Sequence, residues 1–162
     1  MLVKRAMSKN VVSVSVPGNR EKVLDLMRKE DKAVLPVVKG DTKQLVGLIT
    51  RSDLIVNPDE EQIAILMSTD LVTASPDDDV KDVAKKMIDN NVRRVPVVDD
   101  NGDLVGIITS FDLVSNALIK LESDDPVENF MITTVPTTWY KTPLNVAFET
   151  MKQFGLKSVL AL

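Results

Sequence analysis

Two aspartates, Asp53 and Asp112, each follow a threonine, Thr50 and Thr109, by three residues, inside a string of the form Gly-h-h-Thr-x-x-Asp, where h is apolar. A carboxylate at a strand-to-helix junction can accept hydrogen bonds from both hydroxyls of a vicinal diol, as an acidic residue does for ribose in dinucleotide folds. The threonine hydroxyl and the free N–H groups of a first helical turn suit a phosphate or another anion. Thr-x-x-Asp is equally a helix-capping signature, with Thr as cap and Asp at the third helical position. One device can serve both ends, because a capped helix start presents its dipole to an anion. Gly47 and Gly106 open the strings inside strands, where glycine marks a close approach of backbone to a ligand or to a packed neighbour. Arg93 and Arg94 stand just before Val95-Pro96 and are candidate phosphate partners, the bland alternative being a solvated charge pair. Ala33 and Val34 hold the matching positions upstream, so two clefts built this way differ in charge, with Arg51 a partial replacement in the first. Phe111 either walls a base pocket or packs in the core.

These residues need elements to hold them, and the chain spells those elements twice. Met7-Ser8 and Met67-Ser68 open two units, and Met131-Ile132 opens a third. In each of the first two, β-branched residues (Val11 to Val16, Leu71 to Ala74) read as a strand ending at Pro17 or Pro76. Helices follow. Val80, Val83, Ala84, Met87 and Ile88 fall on one face after the capping run Asp77 to Asp79, and Val23, Leu24, Leu26 and Met27 repeat the stripe less regularly. Leu35-Pro36-Val37-Val38 and Val95-Pro96-Val97-Val98 then read as buried strands. The turns Lys39 to Gln44 and Asp99 to Asp103 return each antiparallel, Asn101-Gly102 being a strong hairpin signal. A last helix carries Leu113, Val114, Ala117, Leu118 and Leu121, and its upstream counterpart is cut short at Asn57-Pro58. Each unit is therefore β-α-β-β-α, an α+β arrangement expected to bury its sheet against its neighbour. The third has Thr142-Pro143 as a helix start and Leu144, Ala147, Phe148 and Met151 as its stripe, and it stops before any Thr-x-x-Asp. It reads as half a repeat, with the look of a truncated chain. The expected boundaries are 1–62, 63–124 and 125–162.

Composition narrows the chemistry. Cysteine and histidine are absent, which removes disulfides, thiol nucleophiles, imidazole bases and most zinc or copper sites. No catalytic residue and no metal ligand stands out; magnesium could accompany a polyphosphate, but no cluster demands it. A net charge of −4 over 162 residues gives no global attraction to nucleic acid or to an anionic membrane. No apolar run approaches a membrane span and no signal-peptide pattern opens the chain, which points to a cytoplasmic protein.

The Met-Ser start, the h-Pro-Val-Val strand and Gly-h-h-Thr-x-x-Asp, twice in the same order, resemble a tandem of CBS domains, the regulatory modules of cystathionine β-synthase, IMP dehydrogenase and AMP-activated kinase. The resemblance implies two repeats packed sheet to sheet as a pseudo-twofold pair, with two clefts between them, followed here by an incomplete third repeat. It implies an adenosyl ligand such as AMP, ADP, ATP or S-adenosylmethionine, no required cofactor, a homodimer built through the pairs, and an effector protein under control. Residue by residue, it assigns ribose recognition to Asp53 and Asp112 and hydroxyl or phosphate contacts to Thr50 and Thr109. Val34-Leu35 and Arg94-Val95, with Val12-Ser13 and Val72-Thr73, would line the adenine pockets. The expected function is a non-enzymatic sensor; the alternative is an interaction module with vestigial clefts. If a single cleft takes a phosphorylated ligand, the second motif is the expected one.

Overall fold

Leu35 to Val38 and Val95 to Val97 are buried at every position, as a short apolar run covered on both faces requires. A computed structural model describes residues 1–117, 124–156 and 158–162. The expected final-helix residues Leu118 and Leu121 lie outside the described residues. The chain divides into two compact units, Met1–Glu122 and Ser123–Leu162.

In the first unit the architecture is α+β. Strand β1 (Val14–Val16) runs parallel to β2 (Val34–Lys39), which pairs antiparallel with β3 (Leu45–Thr50) in the order β1-β2-β3. Helix α1 (Arg20–Lys29) crosses between the parallel strands, capped by the Asn19 side chain, which accepts from the Lys22 N–H at 3.1 Å. Helix α2 (Arg51–Val56) follows β3 directly, and a short helix α3 (Ile63–Leu66) leads into the second copy. There α4 (Val80–Asp89) is capped by Asp79, and β4 (Arg94–Val98) pairs antiparallel with β5 (Leu104–Thr109), ahead of α5 (Ser110–Ala117). Both hairpins shift register at the same place, Val37/Val38 and Val97/Val98.

The two copies differ where the first strand is concerned. Leu71 to Ala74, expected as a strand, makes only a bridge between Ala74 and Val97. Pro76 has no N–H to extend a ladder, and the Asp78 carboxylate closes a turn on the Ser75 N–H at 3.1 Å. In the first copy only the last three residues of the expected Val11 to Val16 strand are paired.

Two hydrophobic clusters form, and the chain crosses between them. Val23, Met27, Leu35, Val37, Ile49 and Leu54 make the first with Ile63 and Leu66, although α3 opens the second copy. Val80, Val83, Met87, Val95, Val97 and Ile108 make the second with Val3 and Ala6, which open the first copy. Backbone pairs seal the exchange: Ser8 and Ile107 trade both hydrogen bonds (2.9 and 3.0 Å), as do Leu48 and Ser68 (3.0 and 2.9 Å). The hairpin ends also meet, with the Leu104 N–H donating to the Lys43 carbonyl at 2.8 Å and the Leu45 N–H to the Gly102 carbonyl at 3.1 Å.

Periodicity overstates burial at the helix rims. Ile88 is 78% exposed on α4 and Phe111 75% exposed on α5, so Phe111 does not fill the core. In the second unit, β6 (Thr137–Thr138), α6 (Leu144–Gln153) and β7 (Leu160–Ala161) follow the order of β1, α1 and β2, with β6 parallel to β7. Helix α6 begins one residue later than the sequence suggests, with Pro143 at the cap, and it buries no residue; Leu144 and Phe148, expected as core, are exposed. Two short strands and one helix cannot cover an apolar stripe.

Candidate functional site

The junction of β5 and α5 is built by its own side chains. Asp112 Oδ2 accepts from the Thr109 N–H at 2.8 Å and from Thr109 Oγ1 at 2.6 Å, while the Asp112 N–H donates to Thr109 Oγ1 at 3.2 Å. Thr50 and Asp53 form the same reciprocal box at the start of α2, at 2.8, 2.8 and 3.2 Å. The capping reading of Thr-x-x-Asp therefore holds in both copies. Each box consumes one carboxylate oxygen and leaves Oδ1 without a partner among the described residues, which is the acceptor a diol needs.

Beside Thr109 and Asp112 lies a cavity of about 320 Å³. Its other walls come from the first copy: Ser8, Asn10 and Val12 from the segment before β1, and Asp31 to Pro36 from the end of α1 into β2. Arg94 completes the rim, since β4 and β5 pair it directly with Thr109. The cavity thus joins a carboxylate acceptor, apolar Val12, Val34 and Leu35, and two cations, Lys32 and Arg94. The β2–β3 and β4–β5 hairpins place these groups because each copy's opening segment lies on the other copy's sheet.

Of the residues singled out from sequence, Val12, Val34, Leu35, Arg94, Thr109 and Asp112 meet in this one cavity. Thr50 and Asp53 lie outside it, at the junction of β3 and α2. Val95 is fully buried in the second cluster, and Val72 packs against that cluster. The Thr73 carbonyl accepts from Lys86 Nζ at 3.4 Å. Ser13 lines a different, smaller cavity, and Arg93 lines an outer groove with Ala84, Ile88 and Val114. Arg51 does not line the cavity at Asp112; its guanidinium donates to the Met27 carbonyl of α1 and stands 3.9 Å from Asp31. Sequence reasoning passed over Ser8, Asn10, Asp31, Lys32 and Ile107. Their signal was available in part, because Ser8 and Asn10 share the two-residue alternation of Val12.

Gly47 and Gly106 have a different explanation from a ligand. A Cβ on Gly106 would lie 2.5 Å from Met7 Sδ, and one on Gly47 would lie 2.6 Å from Met67 Sδ. The close approach is that of the methionine opening the other copy.

Nearby acids outside the cavity are set by the α4 start. The Asp79 carboxyl is held below its usual value by the Lys81 N–H and the Met1 ammonium. Burial raises Asp78, but the Ser75 N–H and Lys86 outweigh it and leave it lowered.

The family described as CBS domain matches residues 3–59 and 61–118. Among relatives, the chain is 36% identical over 85 residues to protein MK0525 of Methanopyrus kandleri (48% of this chain, 43% of that protein). It is 30% identical over 133 residues to the CBS domain-containing protein YhcV of Bacillus subtilis (78% of this chain, 93% of that protein). The inosine-5'-monophosphate dehydrogenase of Nitrosopumilus maritimus is 35% identical over 120 residues, 70% of this chain but 24% of the dehydrogenase. The chain spans less than half the length of several relatives it matches. Among solved structures, the CBS domain pair of protein MJ0100 with 5'-methylthioadenosine and S-adenosyl-L-methionine superposes with a TM-score of 0.67 at 32% identity, covering 75% of this chain and 98% of that one. The cytosolic domain of the Mg2+ channel MgtE with ATP gives 0.62 at 31%, covering 68% and 46%. Protein MJ1225 of Methanocaldococcus jannaschii, described as a putative archaeal homolog of g-AMPK, gives 0.83 at 20%, covering 99% and 66%, a likeness of fold.

Proposed function

Because the chain belongs to the CBS domain family, we propose that it is a regulatory module that takes an adenosyl ligand in the cavity at Thr109 and Asp112. The carboxylate of Asp112, held by its cap through Oδ2, with no partner at Oδ1 among the described residues and lining a cavity whose other wall comes from the other copy, is the observation that carries this reading. In it, Asp112 accepts from the ribose diol, Val12, Val34 and Leu35 enclose the adenine, and Thr109, Lys32 and Arg94 receive phosphate oxygens. The ligand-bearing relatives of similar identity support the class: one pair holds methylthioadenosine and S-adenosylmethionine, another domain ATP. AMP, ADP, ATP and S-adenosylmethionine are the candidates, and the two cations favour a phosphorylated one. Ligand spanning both copies shifts their relative orientation, which is the output.

Calorimetric titration with the four candidates tests this. Binding that Asp112→Ala removes supports it; no heat and no thermal shift with any of them at millimolar concentration overturns it.

The remaining assignments belong to the same reading. Thr50 and Asp53 mark a second adenosyl site, with Val72 and Thr73 as its neighbouring candidates, whereas Arg93, Val95 and Ser13 lie on the outer groove, in the second cluster and on the smaller cavity. The repeats run 1–62 and 63–124, and 125–162 is the first half of a third, supported by the order β6, α6, β7. The module has no catalytic role of its own and acts on an effector protein in the cytoplasm. The apolar groove of about 480 Å³ between α4 and α5, with Met87, Ile88, Leu113 and Val114, is the surface for a second copy. Among the described residues no helix is long and apolar enough to cross a membrane.

A further inference from the structure

The segment before β1 is a partition. Ser8, Asn10 and Val12 face the cavity at Asp112, whereas Lys9 and Ser13 face a second cavity of about 180 Å³, and Val11 borders both. The second cavity is closed by Val38 of β2, by Thr42 and Lys43 of the β2–β3 turn, and by Leu104 of β5. Its walls therefore come from both copies.

Its chemistry runs against that of the whole chain. The net charge is −4, yet the charged residues lining this cavity are two lysines, Lys9 and Lys43, and no acidic residue is among its lining. Neither lysine forms an ion pair among the described residues. The Ser13 hydroxyl has no hydrogen-bond partner there either, whereas the Thr42 hydroxyl is spent on the Lys39 carbonyl (2.6 Å) and the Gln44 N–H (3.2 Å). Two cationic residues and one spare hydroxyl thus line one cavity with Val11, Val38 and Leu104. Lys43 is held in place through its backbone, which accepts from the Leu104 N–H at 2.8 Å.

The fold does not require these lysines. In the second copy Thr69 and Thr73 occupy the places of Lys9 and Ser13, and the turn Asp99 to Asp103 is acidic where Lys39 to Lys43 is basic. The second hairpin closes with an acidic turn one residue shorter.

We propose that the cavity between Lys9, Ser13 and Lys43 binds a small phosphoryl anion, inorganic phosphate, diphosphate or the phosphate tail of a nucleotide, at a site separate from the adenosyl cleft. This goes beyond the adenosyl reading and does not depend on it.

Titration with sodium diphosphate, followed by calorimetry and phosphorus NMR at about 0.15 M ionic strength, where exposed charges are already screened, tests it. Saturable binding is expected, weakened roughly tenfold by Lys9→Gln or Lys43→Gln, abolished by the double substitution, and unchanged by Asp112→Ala. Both lysines are exposed, and unchanged thermal unfolding of the Gln variants shows that the loss is one of binding. ATP titrated into Asp112→Ala separates the sources: lysine-dependent ATP binding assigns the nucleotide tail, and diphosphate binding alone assigns the free anion. Absence of diphosphate binding at millimolar concentration overturns the proposal. So does binding that survives the double substitution, or that Asp112→Ala removes.

Discussion

Asp112 Oδ2 takes both the N–H and the hydroxyl of Thr109, at 2.8 and 2.6 Å, so the carboxylate is spent on one side as a helix cap and open on the other. Asp112→Asn separates the two roles. If the amide oxygen keeps the Thr109 donors, the NH2 group turns a diol acceptor into a donor. Loss of a cap costs about 1 kcal/mol, whereas loss of hydrogen bonds to a charged acceptor costs about 1.5 to 3 kcal/mol of binding. Affinity for AMP should therefore fall roughly tenfold to a hundredfold while urea-induced unfolding moves little. An affinity change no larger than the stability change would leave Asp112 a cap and nothing more.

Asp53→Ala and Asp112→Ala remove matched boxes and should destabilise the chain equally, by about 1 kcal/mol each. Their effects on ligand should differ, because Lys32 and Arg94 line the Asp112 cavity while the matching positions of the other copy hold Val92 and Val34. Lys32→Ala and Arg94→Ala should each weaken AMP about tenfold and leave adenosine nearly unaffected. Equal losses for both nucleosides and nucleotides in calorimetry would remove these cations from the phosphate role.

The two strand glycines should not be equally sensitive. The three atoms nearest a Cβ on Gly106 all belong to the flexible side chain of Met7, whereas a Cβ on Gly47 has the Ser68 carbonyl, which is backbone, among its three nearest, at 3.1 Å. Gly47→Ala should cost more than Gly106→Ala within the overpacking range of about 1 to 3 kcal/mol. Pairing Gly106→Ala with Met7→Ala should recover part of the loss, a non-additivity read from a double-mutant cycle.

Acid should loosen the start of α4. Asp78 and Asp79 both titrate below the ordinary carboxylate value of 3.8 in the folded chain. A depressed folded value means stabilisation that is complete above 3.8 and is lost as pH falls below it through the folded values. Asp79→Asn keeps a competent cap side chain but not the charge that pairs with the Met1 ammonium at 2.9 Å. Its stability should decline less steeply between pH 4 and about pH 2 than that of the parent, as measured by denaturant unfolding at each pH.

Much of this was legible in the sequence, and what escaped it has a common cause. Two copies, their hairpins, both capping boxes and the Asn19 and Asp79 helix starts follow from local rules that residues three or four apart obey alone. Which wall faces Asp112 does not. Asp31 to Pro36 meet it because Ser8 pairs with Ile107 across the copies, a long-range fact no spacing encodes. For the same reason Arg93 and Arg94 looked alike in sequence, though strand alternation sends Arg94 to the cavity and Arg93 to the outer groove. Ile88 and Phe111 were misjudged because an apolar residue on a helix rim declares a face but not what covers it. The glycine strings pointed to a close neighbour correctly and could not name it as methionine.

The seating of Met7 on Gly106 also bears on how the chain is made. Residues 3–8 are synthesised before their partners, the Ile107 backbone lying about a hundred residues further on and the second cluster forming from residues 74 onward. The first cluster can close as soon as Leu66 is out, while Val3, Ala6 and Met7 wait with their apolar surface uncovered until β5 arrives. Contacts so distant along the chain form late and slowly. A segment that precedes β1 is thereby placed only after β5 is made, so synthesis of β5, rather than completion of the first copy, sets the earliest moment at which both cavity walls meet.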